Sequence, residues 1–132
     1  MLLTAALLFV ASQLPIVAAG IAKSGSRGST DNRYDNHEPR AWLERQTDPR
    51  RRRANAAQAN AFEALPLFFA ATLFALYARA DPALINALMM AWLALRGFYL
   101  WCYLNDRATL RSSAWALALV VNIALLFSPF YG

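Results

Sequence analysis

The sequence predicts an all-α integral membrane protein, a bundle of four spanning helices. Three observations carry this. Apolar residues make up 58% of the 132 residues and charged residues only 16%, a balance far from that of a soluble domain. The charge is also gathered: nine of the thirteen Lys and Arg, and five of the eight acids, fall between Lys23 and Arg53. What remains is three long stretches with few charges, 1–22, 54–78 and 82–131. The last is long enough for two spans with a polar break at "NDRATLR", 105–111, because a span needs roughly 20 apolar residues. A chain of this length forms one domain.

The first helix is expected over about 1–21. Its small residues "VAAG" resemble a signal-peptide cleavage site, but the basic n-region of a signal peptide is missing, so the segment reads as a span. The loop 22–53 is the one soluble stretch. Its first half is Gly/Ser-rich, while "EPRAWLERQ" reads as a short helix lying on the membrane with Trp42 as interface anchor. The lone His37 reads as a solvated or capping residue, since a metal site needs several ligands and none cluster here. Spans over about 54–78, 83–104 and 110–130 complete the bundle. The single Cys102 excludes an intramolecular disulfide. No internal repeat, Gly-rich phosphate loop, Ser-His-Asp set or nucleic-acid motif is present.

The net charge of +5 is best read as topology, because the basic residues flank apolar spans. With four spans, loops 22–53 and 105–109 share one side, which then holds the nine basic residues, Arg107 and Arg111. The other side has only Arg79, beside Asp81. Positive loops stay cytoplasmic, so both termini are expected to face out, into the periplasm if the membrane is a bacterial inner membrane.

The stretch "RRRRANAAQANAFEALPLFFAATLFALYARAD", 50–81, places Asn60 and Glu63 inside an apolar run. Counted from residue 54, Glu63 lies about 13 Å deep, and Arg96, counted from residue 105, lies at about the same depth. Asn60 and Tyr99 match at about 9 Å, and Gln13 on the first helix falls at about 12 Å. At about 100° per residue, Arg53, Asn60 and Glu63 share one stripe of the second helix. Arg96, Tyr99 and Tyr103 share one stripe of the third. Unpaired intramembrane charges are expensive, so a Glu63–Arg96 pair in a polar crevice is the expected arrangement. Such a pair could equally be glue between helices, and spacing does not choose a ligand.

The segment "AAQANAFEALPLF", 56–68, resembles the signature of the MAPEG family, the membrane-associated proteins in eicosanoid and glutathione metabolism. "NRYDNHEPRAWLERQTDPRRRRAN" is similar to the cytoplasmic loop of bacterial members, and "RGFYLWCYLNDRATLRS", 96–112, to the segment joining helices three and four. The resemblance covers nearly the whole chain. It implies a homotrimer with glutathione as cosubstrate, bound between subunits near the cytoplasmic face. Asn60 and Glu63 would contact glutathione, Glu63 through its amine. Arg96, Tyr99 and Tyr103 would line the site, and Arg111 would sit near the sulfur as the catalytic cation. A lipophilic small-molecule substrate would arrive from the lipid side. Ala56 stands where the family has an arginine, and Arg53, one turn earlier on the same stripe, would reach inward in its place to bind glutathione; Tyr99 stands where some members have His. The implied activity is a membrane-bound glutathione transferase or peroxidase. The rival is a non-catalytic membrane protein on the same scaffold, binding a lipid or another thiol.

Overall fold

The structure, a computed structural model, describes residues 1–24 and 33–132. The Gly/Ser-rich half of the loop lies mostly outside the described residues. The elements are α1 (Leu2–Ser12), α2 (Leu14–Lys23), α3 (Pro39–Glu44), α4 (Pro49–Tyr77), α5 (Pro82–Leu104) and α6 (Ala108–Phe127), followed by a 3₁₀ turn, Ser128–Phe130. No strand occurs among the described residues. Four helical units are long and apolar enough to cross a membrane: Leu2–Lys23, Pro49–Tyr77, Pro82–Leu104 and Ala108–Phe130. The protein is an integral membrane four-helix bundle. Its outer face carries large apolar side chains, among them Phe9, Phe62, Leu73, Trp101 and Val120, as expected of a helix surface that faces lipid rather than water.

Two helix starts are set by side chains. Asp48 caps α4, its carboxylate accepting the Arg51 N–H, with Pro49 in the first turn. Asp81 caps α5 in the same way, accepting from the Leu84 N–H ahead of Pro82. An Asp–Pro pair supplies both the acceptor that the first turn lacks and a residue preset to helical φ. Hence α4 begins at Pro49 rather than at residue 54, carrying the four arginines 50–53 on its first turns. The first span breaks at Gln13, where α1 ends and α2 begins ahead of Pro15. Proline lacks the N–H that would continue the ladder, and its ring crowds the preceding turn.

The core is layered between the helices. Phe68 of α4 stacks on Trp92 of α5 at 3.9 Å between centroids, and Ile85, Met89 and Leu125 fill the space beside them. Small residues, Ala11, Ala71, Ala75 and Ala118, are fully or nearly fully buried; they let backbones approach, which is how helices associate in lipid. The closest packing joins α5 to α6 and α2 to α4.

One expectation fails here. Trp42 is not an interface anchor. It is buried at 3% exposure against Ala22, Leu43 and Ala54. The Tyr34 ring meets it edge-on at 5.1 Å and the Arg51 guanidinium lies over it at 5.5 Å. Thus α3 uses its indole to dock on the bundle. His37 is exposed, and its backbone N–H donates to Asp35.

Candidate functional site

The polar residues of α4 and α5 converge, but in two chambers rather than one crevice. The deeper chamber, of about 250 Å³, is lined by Asn60, Glu63 and Arg96 together with Trp92, Trp115 and Asn122. The shallower one, of about 450 Å³, opens between the start of α4 and the α5–α6 turn, with Arg53, Ala56, Tyr103 and Arg111 on its walls.

In the deep chamber the expected Glu63–Arg96 pair does not form. Arg96 Nη2 donates instead to Asn60 Oδ1 at 2.7 Å, and Glu63 stands exposed on the chamber wall. Asn60 and Glu63 lie three residues apart, nearly one turn, so either could meet a cation of similar depth. The Arg96 head is otherwise held by rings: its guanidinium lies 4.2 Å from the Tyr99 centroid and 6.0 Å from that of Trp92. Aromatic faces attract cations, the more so where water is scarce. Arg96 Nε is buried without a hydrogen-bond partner among the described residues. Pro66 lies inside α4, one turn beyond Phe62 and Glu63. It withholds the donor that the Phe62 carbonyl would take in an unbroken helix.

Tyr99 links the two chambers. Its ring meets Tyr103 edge-on at 5.7 Å, and Arg111 lies over Tyr103 at 4.5 Å. Arg96, Tyr99, Tyr103 and Arg111 therefore form a cation–ring–ring–cation ladder from the deep chamber to the mouth. Arg53 donates to the Leu104 carbonyl at 3.5 Å, bringing its head to the α5 end of the mouth. Ala56 leaves that wall short of a side chain, and Arg53 lies beside the gap. The turn that closes the mouth carries Asp106 at φ 55°, a left-handed conformation that Asp tolerates better than most residues.

Gln13 does not join the site. It sits at the α1–α2 break, its Nε2 donating to Ser12 Oγ at 3.1 Å, while its neighbour Leu14 is the residue that lines a small pocket with Arg96 and Tyr99. Asn122, by contrast, was not expected in the deep chamber. Its signal was present: Arg111, Trp115, Ala118 and Asn122 recur at helical spacing on one face of α6.

Four apolar spans thus surround a buried arginine, an amide and a carboxylate, with a basic mouth at one end. The chain belongs to the MAPEG family, whose model matches residues 1–131. No curated protein and no solved structure matches the chain.

Proposed function

We propose that the protein is a membrane-bound glutathione-dependent transferase or peroxidase acting on lipophilic electrophiles or lipid hydroperoxides. One observation carries the reading: Arg111 over Tyr103 and Arg53 beside them line a single mouth, joined by Tyr99 to Asn60, Glu63 and Arg96. This is where a family member would need its groups.

The residues fit a thiol tripeptide. Glu63 offers a carboxylate with no ion-pair partner among the described residues, suited to an amine. Arg96 retains a buried Nε without a partner, suited to a carboxylate. Arg111 and Arg53 favour a thiolate over a thiol, since a nearby cation stabilises the charged form. Glutathione supplies the sulfur nucleophile. With an aryl halide, the sulfur–carbon bond forms, the carbon–halogen bond breaks and halide leaves. With a hydroperoxide, two thiols are oxidised to a disulfide while the hydroperoxide is reduced to alcohol and water. The chain's part is to hold the thiolate beside Arg111 and to keep the apolar acceptor on the lipid side.

The same reading includes a homotrimer in a bacterial inner membrane, with the arginine-rich end of α4 cytoplasmic and both termini periplasmic. A reporter active only in the cytoplasm, fused to the C-terminus, should be silent; a bright one overturns the orientation. The purified protein should conjugate an aryl halide or reduce a lipid hydroperoxide with glutathione. No turnover across a broad panel removes the enzymatic reading. A second reading, a non-catalytic member that binds a lipid or another thiol, is favoured by Ala56 on the mouth wall. Calorimetry with glutathione separates the two, because binding without turnover supports the second.

A further inference from the structure

The inner half of the deep chamber is not used by the function proposed above. There Asn122, 4% exposed, lines the wall, and its Oδ1 has no hydrogen-bond partner among the described residues. A bare amide is costly inside a bilayer, where no bulk water is at hand to satisfy it. It lies about 16 Å further along α6 than Arg111, beyond reach of the groups at the mouth. Around it the walls are apolar: Trp92, Trp115, Leu67 and Leu119. Trp115 and Leu67 are also 47% and 40% exposed, so the chamber opens on the apolar exterior of the subunit.

Without glutathione the whole chamber, about 250 Å³, is open and sets the size of an occupant. An engineered apolar cavity of about 150 Å³ accepts benzene, so one substituted ring fits here. Indole walls favour a ring over a flexible chain, through stacked or edge contacts. The polar group must suit Asn122 without clashing with Glu63. The unsatisfied atom is Oδ1, an acceptor, so the occupant must donate: an ionised carboxylate has no proton to give there, whereas a hydroxyl has.

We propose that the deep chamber binds a hydroxylated aromatic amphiphile from the bilayer, its O–H donated to Asn122 Oδ1 and its ring held by Trp92 and Trp115. The proposal is independent of glutathione, and its test contains none. The probes are 4-bromophenol and 4-bromoanisole, which share ring and bromine but differ in whether the oxygen carries a hydrogen. Bromine quenches indole fluorescence on contact, and two of the four tryptophans line the chamber.

In the detergent-solubilised protein, 4-bromophenol should quench saturably and bind roughly fivefold tighter than the anisole, as one net hydrogen bond gives. Asn122→Leu should erase that preference in the same micelles. It should leave the thermal midpoint of the empty protein unchanged or raised, because removing an unsatisfied buried amide relieves the bundle. Leu119→Trp, which fills the chamber from its wall, should abolish binding of both probes. Equal affinity for the two probes in the unaltered protein overturns the proposal, as does a preference that survives Asn122→Leu. A lowered midpoint or failure to fold in Asn122→Leu would make the amide a structural group and overturn it too. So would quenching that never saturates or that persists in Leu119→Trp.

Discussion

Buried polar side chains inside the spans fall into two groups, and the groups are built differently. Between α1 and α5, Thr4 is 2% exposed and its Oγ1 bonds Asn86 Oδ1 at 2.8 Å. Thr72 and Ser128 are likewise buried, donating to the Phe68 carbonyl one turn back and to the Leu125 carbonyl at the end of α6. These contacts are closed, and nothing further is asked of a ligand. In the deep chamber, Arg96 has one hydrogen bond and an idle Nε, Asn122 Oδ1 has none, and Glu63 stands open on the wall. Both places cost something to bury in lipid. Of the two, only the second leaves buried atoms unsatisfied among the described residues, which interhelical glue alone would not require.

The largest effect expected is on chemistry. Arg111→Leu should lower glutathione-dependent turnover about 100-fold or more, the scale for removing a group aimed at developing charge. The thermal midpoint should hardly move, since Arg111 is half-exposed at the mouth. Initial rates with saturating aryl halide measure this. Turnover within tenfold of the original would remove Arg111 from the catalytic role.

Next comes Glu63, which tests the open character of the chamber. A carboxylate waiting for a ligand amine should be dispensable in the empty protein. Glu63→Gln should therefore leave the ligand-free midpoint unchanged yet abolish the stabilisation by glutathione, about 2.7 kcal/mol at a hundred times Kd in the original protein. Melting curves with and without glutathione read both. A large loss in the empty protein would restore the Glu63–Arg96 pair that the structure replaces with Asn60.

Asn60 tests the one closed bond of the chamber. Asn60→Leu removes the acceptor from Arg96 Nη2 and should cost about 1–3 kcal/mol, the penalty of stranding a buried donor. Asn60→Asp keeps an acceptor and should recover most of that. If both variants melt alike, the bond does not anchor Arg96.

These residues also mark how far the sequence could be read. The spans were legible from hydropathy, because a bilayer demands long apolar runs with internally bonded backbones. Depth counting brought Asn60, Glu63 and Arg96 to one chamber, since rise per residue is fixed. It could not choose Arg96's partner, because Asn60 and Glu63 differ by less than one turn and side chains are long. The start of α4 was drawn too late for a different reason: hydropathy ignores the Asp48–Pro49 cap, which holds charged residues in helix as firmly as apolar ones. Trp42 was misread because an indole near a membrane surface and one docking a short helix have the same local sequence. Asn122 went unseen because its signal lies in the α6 face it shares with Arg111 and Trp115, not in the lone amide of "VVNIALLF" itself.

The smallest effect concerns the closed place, and it sharpens the contrast most directly. Thr4→Val keeps the shape of the side chain and removes its hydroxyl, leaving Asn86 Oδ1 without that donor. Interhelical hydrogen bonds in membranes are worth about 0.6 kcal/mol on average, so the midpoint should fall slightly. Asn86→Leu alone should cost a similar amount, and the double variant should lose less than the sum, because the two residues share one bond. Neither change should alter glutathione binding or turnover, as the pair lies between α1 and α5, away from both chambers. Additive losses would show that the bond contributes nothing of its own. A fivefold or greater fall in turnover would show that the α1–α5 contact is coupled to the site, and the division between closed glue and open chamber would have to be redrawn along the length of α5.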